Sequence, residues 1–289
     1  MKVPLIETRQ AHQEESTTGH HPVQFKCNDD NLWFCKYVLD VDDPHQTDLL
    51  YYELIGTTLL KQIGIKTPDA ALVRITKGSF TSEQIPNNAK HMLPGVVAFG
   101  SKRMPGDIVD DFLQYRTSRD FRQLKNPEDL IRIALFDLWV ANMDRGKELS
   151  FAGRPNQHNF NMLTSPEKGG HRLIPIDHAS ILGNSLFLRE FSPDNIRIDV
   201  DGKLLGTDLF KGVCDKLGTT KRNKVIDEFF LTSIPSTSPD DLFATLDVAR
   251  PYWPYPPDFA ARLTNFLWNE DRLSRVEAVA RSFFNHTRP

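Results

Sequence analysis

Cysteine is scarce. Cys27, Cys35 and Cys214 are the only three in 289 residues, an odd number with no CxxC pair. That speaks against a disulfide framework and against a cysteine zinc site. Long apolar runs are missing too. No segment approaches the roughly 18 residues that a membrane helix needs, and Met1–Glu15 lacks the apolar core of a secretory leader. Nor is there a surplus of one charge. Lys and Arg number 35 and Asp and Glu 38, a net charge of −3, which disfavours broad electrostatic binding to nucleic acid or anionic membrane. The nine histidines are scattered, and the adjacent pair His20–His21 cannot enclose a metal by itself. The expectation is a soluble protein of a reducing compartment, the cytoplasm.

What is present favours an ordered core. Apolar residues make up 39% of the chain and charged residues 25%, and the length suits one large domain or two lobes. Residues 1–21 read as irregular, with a small polar turn at Ser16-Thr17-Thr18-Gly19. Val23, Phe25 and Cys27 alternate with polar positions, Asn28–Asn31 forms a turn, and Leu32–Val38 resumes extended. This predicts a hairpin with strands near 22–27 and 32–38. Apolar residues from Leu50 to Ile63 recur at helical spacing, with Glu53 among them and Gly64 as the stop. Ala70–Ile75 and Val96–Gly100 read as strands, separated by a Ser-, Asn- and Pro-rich loop over Gly78–Lys90.

Beyond residue 100 the pattern turns helical. Asp107–Tyr115 reads as a short helix. Pro127–Met143 is the strongest helix: Pro127 sits near its start, Glu128 and Asp129 suit its positive end, and Ile131, Ala134, Leu135, Leu138 and Trp139 form an apolar face. A polar loop, Asp144–His158, precedes short strands at Phe160–Leu163 and Leu173–Ile176, paired across Gly169-Gly170. Four or five helices follow from Leu204, broken at Gly218, Pro235, Pro239 and Pro251–Pro257. Pro251–Pro257 reads as a rigid, aromatic-packed connector. The organisation predicted is α+β: a strand-rich part over 1–100 and a helical part over 101–289, joined near Phe99–Gly106.

Five polar residues stand at element ends in an informative order. Lys36 closes an apolar strand, Glu53 lies on the next helix, Asp144 follows the long helix, Asn161 begins a short strand and Asp177 ends another. A nucleoside triphosphate needs a cation for its phosphates, and a strand lysine supplies one. A helix glutamate can fix that lysine's rotamer. Magnesium takes oxygen ligands, one or two side chains plus phosphate oxygens, which an aspartate and an asparagine can provide. A further aspartate can accept the proton of an attacking hydroxyl.

These residues carry a family resemblance. Asn142-Met143-Asp144-Arg145, Asn161-Met162-Leu163 and Ile174-Pro175-Ile176-Asp177-His178 resemble the active-site segments of HipA-like kinases. Phe34-Cys35-Lys36, Tyr52-Glu53-Leu54-Ile55-Gly56, Gly64–Ala70 and Ala98–Lys102 resemble that family's N-terminal segments. The resemblance spans about residues 15–185. It implies a two-lobed protein-kinase-like fold that binds ATP and Mg2+ between the lobes and phosphorylates a protein Ser or Thr. It further implies that Lys36 meets the α- and β-phosphates, that Glu53 positions it, that Asp144 is the catalytic base, and that Asn161 and Asp177 hold magnesium. Backbone groups of Phe99, Gly100 and Ser101 would meet the adenine, and Ser16, Thr17, Thr18 and Gly19 would cover the phosphates.

The chain departs from the pattern in two ways. The gap of 17 residues between Asp144 and Asn161 implies an insertion at the mouth of the site, and Asn159 rivals Asn161 as metal ligand, since two residues apart on a strand face one side. The phosphate loop has one glycine, which weakens backbone cradling of phosphate. Ser16, Thr17 and Thr18 offer hydroxyls for the self-phosphorylation that silences some HipA-like kinases. The family includes toxins, so a toxin–antitoxin or regulatory partner is one expectation. A small-molecule or lipid-headgroup kinase and a nucleotide-binding pseudokinase module are the alternatives. His178 reads as a packing residue behind Asp177.

Overall fold

The alternation in the first hundred residues resolves into a small barrel. The computed structural model describes residues 3–12, 22–36, 47–80, 93–151, 154–184, 188–198, 200 and 203–286. Strands β1 (Leu5–His12), β2 (Val23–Cys27), β3 (Leu32–Lys36), β4 (Ala70–Arg74) and β5 (Val97–Lys102) close in the order β1-β2-β3-β5-β4. All neighbours are antiparallel except β1 and β4, which run parallel and shut the ring. Val23, Phe25 and Cys27 of β2, Trp33 and Cys35 of β3, and Ala71 and Val73 of β4 fill its interior. The other face of each strand points outward. Gly100 belongs to the inner row: a Cβ there would lie 2.4 Å from Val73 Cγ2.

Strand β1 occupies a stretch whose sequence predicts irregular chain. Its alternation is broken by a register shift between Thr8 and Gln10, so Ile6 and Thr8 face inward and then Ala11, not Gln10. A bulge hides a strand from a period-two reading. The expected covering segment Ser16–Gly19, residues 37–38 and most of the loop from Gly78 to Lys90 lie outside the described residues.

Helix α1 (Thr47–Gln62) is buried on nearly every side, because the outer face of the barrel packs on one flank and the helical part of the chain on the other. Its C-terminus is closed by Gly64 at φ 76, with the Ile65 N–H returning to Leu60 O at 2.9 Å, a glycine-terminated cap.

Downstream, the described chain forms a short sheet followed by helices. Strand β6 (Asp107–Ile108) replaces the short helix expected over Asp107–Tyr115. It pairs with β9 (Met162–Glu167), which pairs with β10 (Gly170–Pro175). The Val109 N–H donates to Met162 O at 3.0 Å, so tertiary pairing overrides the local helical spacing. The loop expected after Asp144 is a hairpin, β7 (Lys147–Phe151) with β8 (Arg154–Asn159). Helices α2 (Ser118–Gln123), α3 (Pro127–Trp139), α4 (Asp208–Glu228, broken at Gly218), α5 (Pro239–Ala249), α6 (Phe259–Trp268) and α7 (Glu270–His286) complete the fold. It is a mixed α+β fold with a strand-rich N-terminal region and a helical C-terminal region. Among the described residues no helix is long and apolar enough to cross a membrane.

The two regions share one core. Leu72, Val97 and Phe99 on the barrel's outer face join α1 and the helices in a continuous apolar cluster. Trp253, from the proline-rich connector, is 1% exposed. Its indole N–H donates to Val97 O at 2.9 Å, and its carbonyl accepts the Tyr51 hydroxyl from α1. Trp253→Ala removes an aromatic anchor shared by strand, helix and connector, and should cost about 3–5 kcal/mol of unfolding free energy in a urea titration.

Candidate active site

The site forms where the outer face of β3 meets α1 and the loops of the C-terminal region. Lys36 is the last residue of β3 and points outward, away from the barrel core, because Cys35 takes the inward position. Its ammonium bonds both the Glu53 carboxylate and Asp177 Oδ1, the latter at 2.7 Å. Glu53 is 2% exposed. One of its oxygens receives Lys36, and the other accepts the backbone N–H of His178 at 2.9 Å. A single buried carboxylate thus fixes the strand lysine and the segment that carries Asp177.

Close approach makes this bridge feasible. Gly56 lies one turn beyond Glu53 on α1, and a Cβ at that position would fall 2.4 Å from the Cβ of His178. Only a residue without a side chain lets the helix come near enough for Glu53 to reach the His178 N–H.

Charge does not balance at this point, with two carboxylates facing one ammonium. Burial raises the Glu53 carboxyl, Lys36 lowers it and Asp177 raises it again, leaving it pushed up to about 7. Burial also raises Asp177, but the Lys36 ammonium and hydrogen bonding with Glu53 outweigh it and hold the carboxyl well below the usual range. For Lys36, burial alone favours loss of the proton, and its two carboxylate partners reverse this and hold it more firmly.

Asp144 and the two asparagines form the second half. The chain leaves α3 through Ala141, whose φ is 50, and the Asn142 side chain accepts the Asp144 N–H at 3.1 Å. Asp144 Oδ2 accepts two amide donors, Asn159 Nδ2 at 2.7 Å and Asn161 Nδ2 at 2.8 Å. The two asparagines do not sit on one strand, as their spacing suggested. Asn159 ends β8, while Asn161 lies in the link to β9 with φ 44. They converge on Asp144 through the bend, not through strand periodicity.

Arg145 ties the halves together. Its side chain is fully buried and pairs with Asp137 of α3, Nε to Oδ2 at 2.9 Å. Its terminal nitrogens donate to the carbonyls of Phe160, Asn161 and Ile176 and face His178 Nδ1 at 3.3 Å. The Ile176 N–H also meets Asn161 O at 2.9 Å, which sets Asn161 beside the residue preceding Asp177. Burial and then Arg145 push the His178 imidazole well below its ordinary range, so the ring is neutral and accepts from the guanidinium.

Lys36, Glu53 and Asp177 are therefore in mutual contact, and Asp144 and Asn161 are joined to them through Arg145 and the Ile176 backbone. Phe99, Gly100 and Ser101 lie on a central strand. Strand β5 lies between β3 and β4, so the backbone groups of these residues serve ladders on both sides. The Arg103 N–H is also bonded, to Leu32 O at 2.8 Å. Sequence reasoning missed Asp137 and gave no role to Asn142, Gly56 or Arg145. The available signal was a carboxylate on the apolar face of α3, eight residues before an arginine.

Residues 11–199 match the pattern of the HipA-like kinase family. No curated protein matches the chain. Among solved structures, the crystal structure of a Helicobacter pylori proinflammatory kinase, CtkA, shares the fold: 14% identity, a TM-score of 0.53, and coverage of 99% of this chain and 100% of that one.

Arg145→Met leaves Asp137 buried without its partner and should lower stability by about 3–5 kcal/mol in urea titration. Combining it with Asp137→Leu replaces the pair by apolar groups and should recover much of that loss.

Proposed function

The chain belongs to the HipA-like kinase family, and we propose that it transfers the γ-phosphoryl group of ATP to a protein serine or threonine hydroxyl. The observation that carries this reading is the Glu53 bridge, which couples the strand lysine to the Asp177 segment in one buried contact. On this reading the barrel with α1 and the helical region act as two lobes that close on the nucleotide, and Lys36 binds the α- and β-phosphates.

The donor set fits a magnesium ion. Asp177 offers a carboxylate, and Asn161, whose Nδ2 is committed to Asp144, keeps its Oδ1 for a cation. Two protein oxygens completed by phosphate oxygens and water suit Mg2+, and the surplus of carboxylate over ammonium favours a divalent cation. Bound there, magnesium neutralises charge on the phosphate oxygens. Asn161 is preferred to Asn159 because its backbone is bonded beside Asp177, whereas the Asn159 carbonyl serves Gly146 at 2.6 Å.

Asp144 is the general base. Its Oδ2 is held by two amides, which keeps the carboxylate oriented and leaves Oδ1 to receive the acceptor hydroxyl. An ionised carboxylate only accepts, so the asparagine amides hold it without consuming that second oxygen. Little covalent work falls to the protein; alignment and charge supply the rate. The β7–β8 hairpin, anchored by the His158 N–H to Asp111 Oδ2 at 2.7 Å, borders the acceptor side. The three free cysteines are buried, which suits a reducing cytoplasm.

Purified protein incubated with Mg2+ and γ-labelled ATP should yield phosphoserine or phosphothreonine on the chain itself or on a protein acceptor. Asp144→Asn and Asp177→Asn should each lower that rate by about 10²–10⁴-fold. Unchanged labelling in both variants refutes the assignment, and label found only on a small hydroxyl compound refutes the protein acceptor.

A further inference from the structure

The β7–β8 hairpin has little apolar packing to hold it in place. None of Lys147, Glu148, Leu149, Gln157, His158 and Asn159 is buried, so hydrogen bonds have to fix where it lies. At its base the Gly146 N–H donates to Asn159 O at 2.6 Å, and the Lys147 N–H donates to Asp144 O at 3.0 Å. Both bonds stay within the segment 144–161. Among the described residues, the one hydrogen-bonding partner that the hairpin has outside this segment is Asp111.

Asp111 commits both carboxylate oxygens to a single residue. Oδ2 accepts the His158 backbone N–H at 2.7 Å, and Oδ1 lies 2.6 Å from Nδ1 of the same residue's ring. A carboxylate only accepts, so Nδ1 carries the proton. The grip therefore fixes the backbone and the ring of His158 together. Successive side chains of a strand point to opposite faces. With His158 turned to Asp111, Asn159 turns the other way, where its Nδ2 meets Asp144 Oδ2 at 2.7 Å. A slip of one residue would exchange the two faces and take the amide away from Asp144.

We propose that Asp111 is a positioning residue for phosphoryl transfer: its hold on His158 sets Asn159, and Asn159 sets the Asp144 carboxylate. The inference rests on the kinase reading above, in which Asp144 is the base. The two amides on Asp144 are not equivalent. On that reading Asn161 also offers its Oδ1 to the metal, so its side chain serves two tasks. The Asn159 side chain bonds to Asp144 alone, and holds that carboxylate whether or not a metal is bound. Misplacing a reacting group by about 1 Å costs about 10²-fold in rate. Stability depends far less on the same contact. The His158 and Asp111 side chains are 29% and 30% exposed, and contacts so open to water contribute little to folding. Loss of rate and loss of fold are therefore separable.

Asp111→Ala removes both bonds, and the test follows labelling of the chain itself and of casein with γ-labelled Mg2+–ATP. At saturating ATP the rate should fall about 10–100-fold. The half-saturating ATP concentration and the Mg2+–ADP affinity, by titration calorimetry, should keep their wild-type values. The melting temperature should drop by no more than about 2–4 °C. Asn159→Ala should lose rate to a similar extent. Because the two residues act along one line, the double variant should match the slower single variant within about twofold, whereas independent effects would multiply. A wild-type rate in Asp111→Ala, multiplied losses in the double variant, or rate and Mg2+–ADP affinity lost together overturns the positioning role while the kinase reading stands. No labelling of either acceptor by wild-type protein overturns both. Should Asp111→Ala fail to fold, Asp111→Asn carries the comparison. It leaves one of the two His158 donors facing an N–H group, and should lower the rate with Mg2+–ADP binding unchanged; an undiminished rate overturns the assignment.

Discussion

The buried carboxylate of Glu53 is the constraint on which the site depends. A charged group with almost no solvent access is tolerated only when its oxygens are filled by good partners. Here one partner comes from the barrel and the other from the backbone after Asp177. Neither partner lies on α1, so the helix is held between two parts of the chain that are more than a hundred residues apart. The glycine at position 56 and the Trp253 anchor on the same helix serve this geometry. One permits the approach to His178, and the other holds the helix through the Tyr51 hydroxyl.

Arg145 solves a related problem for the loops. Asn161 and Asp177 both adopt left-handed backbone conformations, φ 44 and 53, which for residues other than glycine cost of order 1–3 kcal/mol each. Such conformations persist when their surroundings over-determine them. The guanidinium does so by binding the carbonyls of Asn161 and Ile176, while its charge is met by Asp137 in the core of α3. A lysine could not replace it, because the planar fork reaches several acceptors at once. Both residues lie just outside strands, Asn161 before β9 and Asp177 after β10, and their side chains reach Asp144 and Lys36 respectively.

Much of the strand and helix pattern was legible because single periods governed it. β2, β3, α1, β4 and α3 appear where alternation or helical spacing predicts them, within a few residues. The misses share one cause, which is that non-local pairing overrode the local pattern. A bulge concealed β1, a partner strand converted the segment at Asp107 into an edge strand, and β7 and β8 support one another although neither is apolar enough to announce itself. At the site, the residues named from the sequence fall into two contacting groups, Lys36 with Glu53 and Asp177, and Asp144 with Asn161. The pairing of Asp137 with Arg145 was not legible, since a buried ion pair shows only once α3 and the loops are folded together. That β5 is a central strand was not legible either, because a sequence does not reveal which strands flank it.

The resting arrangement of Lys36 also bears on how such a site waits for its ligands. Its ammonium is shared by Glu53 and Asp177, and the excess negative charge left over is held by burying a carboxyl whose affinity for a proton has risen to about 7. Pairing in a poorly solvated place is strong only while both members are present. Cation and phosphate arriving together offer each carboxylate and the ammonium a replacement partner. Phosphate alone would compete with two carboxylates for one lysine, and cation alone would leave the lysine short of anion. On the proposed kinase reading, these electrostatics would favour a metal–nucleotide complex over either component, through Glu53, which keeps its grip on Lys36 and on the His178 backbone whichever partner Asp177 takes.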